Sequence, residues 1–174
     1  MANEYNDKEQ QVISKEEFCR LIKEYQTSLY RLAKSILLNE HDTEDAVCSA
    51  IYKAYISRNT IRKINSFKSW ILKIVSNEAY TILRNKKNVV YVDTVSESTS
   101  DTYESEVPYD VWDAVEKLDE KYRAIIVLFY YDDFSIKHIS EILSIPQNTV
   151  KTRLLRARQK LKTELLNQEG YINE

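Results

Sequence analysis

The sequence predicts an all-α chain of two small helical domains joined by a flexible acidic linker, the C-terminal one carrying a helix-turn-helix. Three observations lead there. The chain of 174 residues holds a single Gly and two Pro, where average usage would give roughly a dozen glycines, so tight hairpins and Gly-rich phosphate loops are nearly excluded. Apolar residues recur at helical spacing in two blocks, about 14–87 and 109–168, as a buried helical stripe requires. Between them, NVVYVDTVSESTSDTYESEVP (88–108) is rich in Ser, Thr and acids, lacks helical periodicity and ends in a proline, the pattern of a linker. Extended at about 3.3 Å per residue it spans on the order of 65 Å, enough for the two domains to touch separate parts of one large partner.

Ser14 followed by Glu16 and Glu17 opens the first block as a helix cap. From Glu44 to Ser57 the spacing buries Val47, Ala50, Ile51 and Ala54 and leaves Asp45, Ser49, Tyr52, Lys53 and Ile56 outside. An exposed Tyr and Ile beside an acid suit a protein contact, and scattered apolar surface residues are also ordinary. RNTIRKINSFK (58–68) follows, with four bases and no acid. On the next helix, about Ser69 to Arg84, one face carries Ile71, Leu72, Val75, Ala79, Ile82 and Leu83, and the other Trp70, Lys73, Asn77, Tyr80, Thr81 and Arg84. Aromatics, cations and an amide on one side provide what unstacked bases need: stacking, an electrostatic hold and hydrogen-bond readout. The competing reading has Trp70 and Tyr80 closing the core while the cations snorkel around them.

The net charge of −2 hides strong segregation along the chain. Residues 93–110 hold six acids and no base, and residues 147–162 hold six bases and no acid. In FSIKHISEILSIPQNTVKTRLLRARQKL, two helical patterns are separated at Ser144, Ile145 and Pro146. That is helix-turn-helix spacing, with the proline tolerated in the first turn of the second helix. At 100° per residue, Val150, Leu154, Ala157 and Leu161 form the buried arc, and Asn148, Thr152, Leu155, Arg156 and Gln159 lie opposite. Lys151 with Arg158 and Arg153 with Lys160 form the flanks. Flanking cations suit phosphates, Arg, Asn, Gln and Thr suit base edges, and Leu155 suits a thymine methyl. A basic amphipathic helix can also be a solvated surface, but the preceding helix and turn weigh against that, and the absence of Trp or Phe from the apolar side weighs against a membrane-surface helix.

These strings resemble bacterial sigma factors of the extracytoplasmic-function type. IPQNTVKTRLLRARQKL is similar to their recognition helix and FSIKHISEILSI to the helix before it. In that family the domain grips the polymerase flap and reads the −35 promoter element. The resemblance therefore implies base contacts at Lys151, Thr152, Leu155 and Arg156, and together with the wheel the expected −35 surface is Asn148, Lys151, Thr152, Arg153, Leu155, Arg156, Gln159 and Lys160. INSFKSWILKIVSNEAYTILRNKK resembles the segment that melts and captures the −10 element, whose preceding loop receives a flipped-out base. This implies a role for the loop Asn59 to Ser66 as a region and for Asn77 and Arg84, and with the aromatic-basic face the expected −10 surface is Asn59, Arg62, Lys63, Trp70, Lys73, Asn77, Tyr80 and Arg84. HDTEDAVCSAIYKAY resembles the helix that docks on the polymerase clamp, implying contacts at Asp45, Ser49, Tyr52 and Ile56. The sequence departs from the family pattern at Ser144, where a turn glycine is common, and at Cys48 and Ser49, where Gln and an acid are usual.

The partners so implied are core RNA polymerase, promoter DNA and a membrane-bound anti-sigma factor, and the family's linker would run through the polymerase cleft. No cofactor is expected. Cys19 and Cys48 lack metal-site spacing, and His41 and His138 stand alone. An enzyme is disfavoured for the same reasons, the clustered carboxylates lying in the linker. Two free cysteines, an N-terminus without an apolar h-region and no membrane-length apolar run give a cytoplasmic expectation without membrane insertion. The rival within the same broad class is a stand-alone helix-turn-helix transcriptional regulator. It leaves the aromatic-basic helix and the acidic linker without a task, and it expects a dimer.

Overall fold

The computed structural model describes residues 13–61, 63–90 and 111–172, and among these every regular element is helical. The linker expected at 88–108 lies outside the described residues except for residues 88–90, which continue a helix.

α1 (Lys15–Leu37) starts where the cap signal placed it: the Ser14 hydroxyl accepts a hydrogen bond from the Glu17 N–H at 3.1 Å, pairing an otherwise orphan first-turn donor. Leu38, at φ 60°, ends the helix and donates its N–H to the Lys34 carbonyl. Asn39 then caps α2 (Glu40–Ser57) by accepting from the Asp42 N–H. Two short 3₁₀ turns, Arg58–Thr60 and Ile64–Ser66, lead into α3 (Phe67–Val90).

These three helices close around Phe18, Leu29, Leu32, Ile36, Phe67, Ile71, Leu72 and Val75, all buried. Each such side chain contributes about 1.5–3 kcal/mol on burial. Phe18 meets Tyr55 and Phe67 edge-on, and Trp70 tilts against Phe67 at 5.7 Å.

The second half comprises α4 (Val111–Glu116), α5 (Glu120–Ile126) continued by a turn of π-helix (Val127–Tyr131), α6 (Ile136–Leu143) and α7 (Gln147–Ile172). Ser135 caps α6, and Ser144 ends it in the left-handed region at φ 53°, ψ 43°. The turn thus has the geometry that glycine usually supplies, held by a serine. α7 is helical through Ile172, past the block end expected at 168.

The two halves are packed together on one continuous apolar core, an arrangement the sequence left open. α5 rests on α1, and α6 rests on α3. Arg123, buried on α5, donates to the Ser35 carbonyl at 2.5 Å and the Ile36 carbonyl at 3.3 Å, at the C-terminal end of α1. It also donates to the Leu118 and Glu116 carbonyls of its own half. A cation against unpaired helix-end carbonyls is a favourable placement. Beside it, Arg31 of α1 lies over the Tyr131 ring, which Trp112 meets edge-on.

Candidate nucleic-acid interface

On α7 the buried arc is the expected one: Val150, Leu154 and Ala157 are buried and Leu161 is half-buried. Asn148, Lys151, Thr152, Leu155, Arg156, Gln159 and Lys160 are all exposed. Leu155 is 58% exposed, an apolar side chain in a polar stripe with nothing covering it. Two flanking bases differ from expectation. Arg153 is half-buried and close enough to Tyr80 of α3 to act on its hydroxyl. Arg158, expected on the phosphate flank, lies over the Phe129 and Tyr130 rings, and its Nε donates to the Tyr130 hydroxyl at 2.8 Å. It is held against the π-helical turn, which leaves Lys151 to carry that flank.

On α3, Lys73, Asn77, Thr81 and Arg84 are exposed along one face, as the wheel requires. Trp70 is half-buried: its ring packs on Phe67 and one side lines a cavity of about 330 Å³ with Thr60, Ile61, Lys63 and Ser66. Trp70 thus helps close the core and also presents a side to this cavity. The cavity has an aromatic wall, an adjacent cation and hydroxyls, which suits a single unstacked base. Asn59 and Lys63 are exposed on this loop, and Arg62 lies outside the described residues.

Tyr80 departs from the outward placement. It packs against the shared core beside Glu120, Arg123 and Arg153 of the second half, and burial, aided by the Glu120 carboxylate, pushes its hydroxyl up to about 12. The core-closing reading fits this residue in the present arrangement. Ile82 and Leu83, placed on the buried face, are only half-buried.

On α2, Asp45, Ser49, Tyr52 and Ile56 form an exposed strip, Tyr52 at 67% and Ile56 at 61%. Val47 and Ile51, expected in the core, are half-buried along the α1–α2 groove. Lys53 is ion-paired with Glu78 of α3 at 2.7 Å, and the part-buried Asp42 carboxylate with Lys86 at 2.5 Å.

The models for Sigma-70 region 2 and for Sigma-70, region 4, match residues 21–89 and 109–161. The RNA polymerase sigma factor SigV of Bacillus subtilis (strain 168) is 33% identical over 153 residues, spanning 85% of this chain and 90% of that protein. The ECF RNA polymerase sigma factor SigW of the same strain is 31% identical over 165 residues, spanning 85% and 88%. The chain belongs to the extracytoplasmic-function sigma factors.

This sigma factor accordingly serves promoter-specific transcription initiation, and the region 2 match leaves the stand-alone regulator without support. Its fold is shared by the sigma factor RpoE in complex with the anti-sigma factor NepR from Bartonella quintana, at a TM-score of 0.73 and 24% identity over 86% of this chain and 97% of that one. CnrH in complex with the cytosolic domain of CnrY gives 0.63 and 21%, over 89% and 90%.

Sequence reasoning passed over two features of this sigma factor. A cavity of about 310 Å³ lies between the π-helical turn and the end of α7, lined by Tyr130, Arg158, Leu161, Lys162, Leu165 and Leu166. Lys68, the last of the four bases in residues 58–68 and the second residue of α3, is held by the Asp132 carboxylate of the second half. The spacing of Leu161, Leu165 and Leu166 was a usable signal for the first. Nothing local to Lys68 signals the second. Among the described residues no cluster of His, Cys, Asp or Glu is suited to hold a metal ion, and no helix is long and apolar enough to cross a membrane.

Proposed function

We propose that this sigma factor reads the two promoter elements with separate helices and leaves catalysis to core RNA polymerase. The carrying observation is the face of α7: Asn148, Lys151, Thr152, Leu155, Arg156, Gln159 and Lys160 exposed opposite a fully buried Val150, Leu154 and Ala157, behind a helix-turn-helix turn. This helix enters the major groove of the −35 element, with Arg153 joining it once the halves separate. Lys151 and Lys160 hold phosphates; Asn148, Arg156 and Gln159 address base edges.

The −10 strand is captured on α3. Trp70 and the cavity it shares with Lys63 take the flipped base, Lys73 and Arg84 hold backbone, and Asn77 supplies hydrogen-bond readout. Asn59, Arg62 and Tyr80 complete this surface. The Asp45, Ser49, Tyr52 and Ile56 strip docks on the polymerase clamp, its exposed apolar pair replacing contacts that the departures at Cys48 and Ser49 remove. The functional units are residues 14–87 and 109–168, with 88–108 as the connection. The protein acts in the cytoplasm without inserting in a membrane. A membrane-bound anti-sigma factor restrains it, a reading supported by the fold shared with chains captured beside anti-sigma partners.

Run-off transcription with core polymerase on genomic DNA tests the whole reading. Discrete start sites sharing two upstream elements are expected. Tight, sequence-specific duplex binding by the free protein would overturn it.

A further inference from the structure

A groove of about 690 Å³ runs between α1 and α2, and Trp112 of α4 lines it from the second half. That volume lies in the range of small-ligand sites, about 300–1,000 Å³. Ile22, Val47, Ile51 and Trp112 give the groove an apolar wall, Arg31 and Lys34 supply two cations, and no acid lines it. Both cations are half-buried. The Arg31 guanidinium lies 5.0 Å from the centre of the Tyr131 ring, and neither cation has a carboxylate partner among the described residues. Arg20, exposed farther along the same helix, has two, Glu17 and Glu24. From Ile22 to Lys34 is 12 residues of α1, about 18 Å along its axis. The cations therefore share one end of the groove, and the other end, at Ile22, is uncharged.

A half-buried cation beside aliphatic side chains gives up hydration that no group in this groove restores. Lys34 stands in the last turn of α1, where the helix dipole favours a cation. That accounts for one charge, but not for a second about a turn earlier in the same groove, nor for the lack of any acid. Residues three apart on a helix are surface neighbours, with Cβ atoms about 5–6 Å apart, so a single anionic headgroup can accept from both Arg31 and Lys34. An acidic amphipathic helix would spread its anchors along a groove, whereas here the charge lies at one end.

We propose that this groove is a binding site for a small anionic amphiphile, its carboxylate head held between Arg31 and Lys34 and its aliphatic tail laid along Ile22, Val47 and Ile51. Trp112 flanks the ligand, which so touches three helices and both halves of the chain. A ligand that binds the folded chain and not the unfolded one raises its stability by mass action. None of the lining residues is on α3 or α7, so the site is distinct from the two surfaces proposed for DNA.

The test titrates the full-length chain with sodium laurate, held below its aggregation concentration, by isothermal calorimetry, and follows the thermal midpoint in parallel. Saturable binding of one laurate per chain and a midpoint that rises with laurate are expected. Lys34→Gln is expected to weaken binding about tenfold, the worth of one charge-assisted hydrogen bond, and Lys34→Arg to retain it. Lys23→Gln makes the same change of net charge on an exposed side chain of α1 outside the groove; it is expected to leave the affinity unchanged. In a Trp70→Phe background Trp112 is the remaining one of the two tryptophans, and its emission is expected to shift as laurate binds. Equal losses in the Lys34→Gln and Lys23→Gln variants, equal affinity for dodecyltrimethylammonium, whose tail is similar and whose charge is opposite, or Trp112 emission unmoved by saturating laurate would each overturn the proposal. So would a groove that ignores laurate and binds an acidic amphipathic peptide.

Discussion

Arg156 and Lys160 sit four residues apart on the exposed side of α7, and their chemistry separates their tasks. Arg156 lies in the middle of the stripe beside Leu155, where a guanidinium can make a bidentate contact to guanine, whereas Lys160, on the flank, offers a point charge to a phosphate. Arg156→Ala is expected to cost about 1–3 kcal/mol at one or two base positions of the −35 element, and Lys160→Ala to weaken all promoters alike. Binding of the holoenzyme to a promoter panel distinguishes them; equal losses on the same promoters would refute the assignment. Ser144 makes a second point at this scale. A non-glycine residue at φ 53° bears a cost of roughly 1–2 kcal/mol that glycine avoids. Ser144→Gly is therefore expected to raise the thermal midpoint by about 2–4 °C and Ser144→Ala not to, as scanning calorimetry would show.

At the scale of elements, the helical stripes were legible because a 3.6-residue period fixes which face of a helix is buried. That is why Val150, Leu154 and Ala157 on α7 and Ile71, Leu72, Val75 and Ala79 on α3 were placed correctly. The same period does not say what lies against a face. α3 is covered on a wider arc than its stripe requires, because α6 packs on it as well as α1 and α2. Ser76 is buried, and Tyr80, half-buried, packs on the shared core beside Glu120 and Arg123 of α5 and Arg153 of α7. Arg158 is exposed on α7 as the wheel has it, but its partners were not legible, since Phe129 and Tyr130 lie on a π-helical turn that local sequence does not signal. The Ser14 cap was legible, since a Ser at a helix start has a local partner, whereas the caps of the same kind at Asn39 and Ser135 went unread. Asn39 caps α2 immediately after Leu38 ends α1 at φ 60°. Asn39→Ala is expected to destabilise the protein by about 1 kcal/mol and Asn39→Asp to leave it nearly unchanged. Urea denaturation would measure both.

Over the whole molecule, the decisive contact is one that no local pattern contains. Arg123 and the Ser35 carbonyl are 88 residues apart in sequence, and the buried guanidinium is shared between the end of α1 and the Glu116 and Leu118 carbonyls of its own half. Burial pulls its pKa below the usual arginine value, and the nearby Glu120 and Glu116 carboxylates counter that. Because both halves draw on one apolar core, the free protein is expected to unfold in a single calorimetric transition, with the van't Hoff and calorimetric enthalpies equal. The ionic strength dependence follows from where the charges are. Lys87–Glu120 is largely exposed, so salt screens it, whereas Arg123 and Asp132 are buried and are screened much less. Raising salt should therefore leave the single transition intact. Arg123→Leu should not: it leaves the Ser35, Ile36 and Leu118 carbonyls without this donor, at a cost of about 1–3 kcal/mol for each carbonyl that water does not reach. The expected result is two resolved transitions, the region 4 half melting first because its shorter helices α4, α5 and α6 lean most on the shared core. One undivided transition in Arg123→Leu would mean that the apolar core and the remaining cross-half pairs, Lys68–Asp132 and Lys87–Glu120, couple the halves without it.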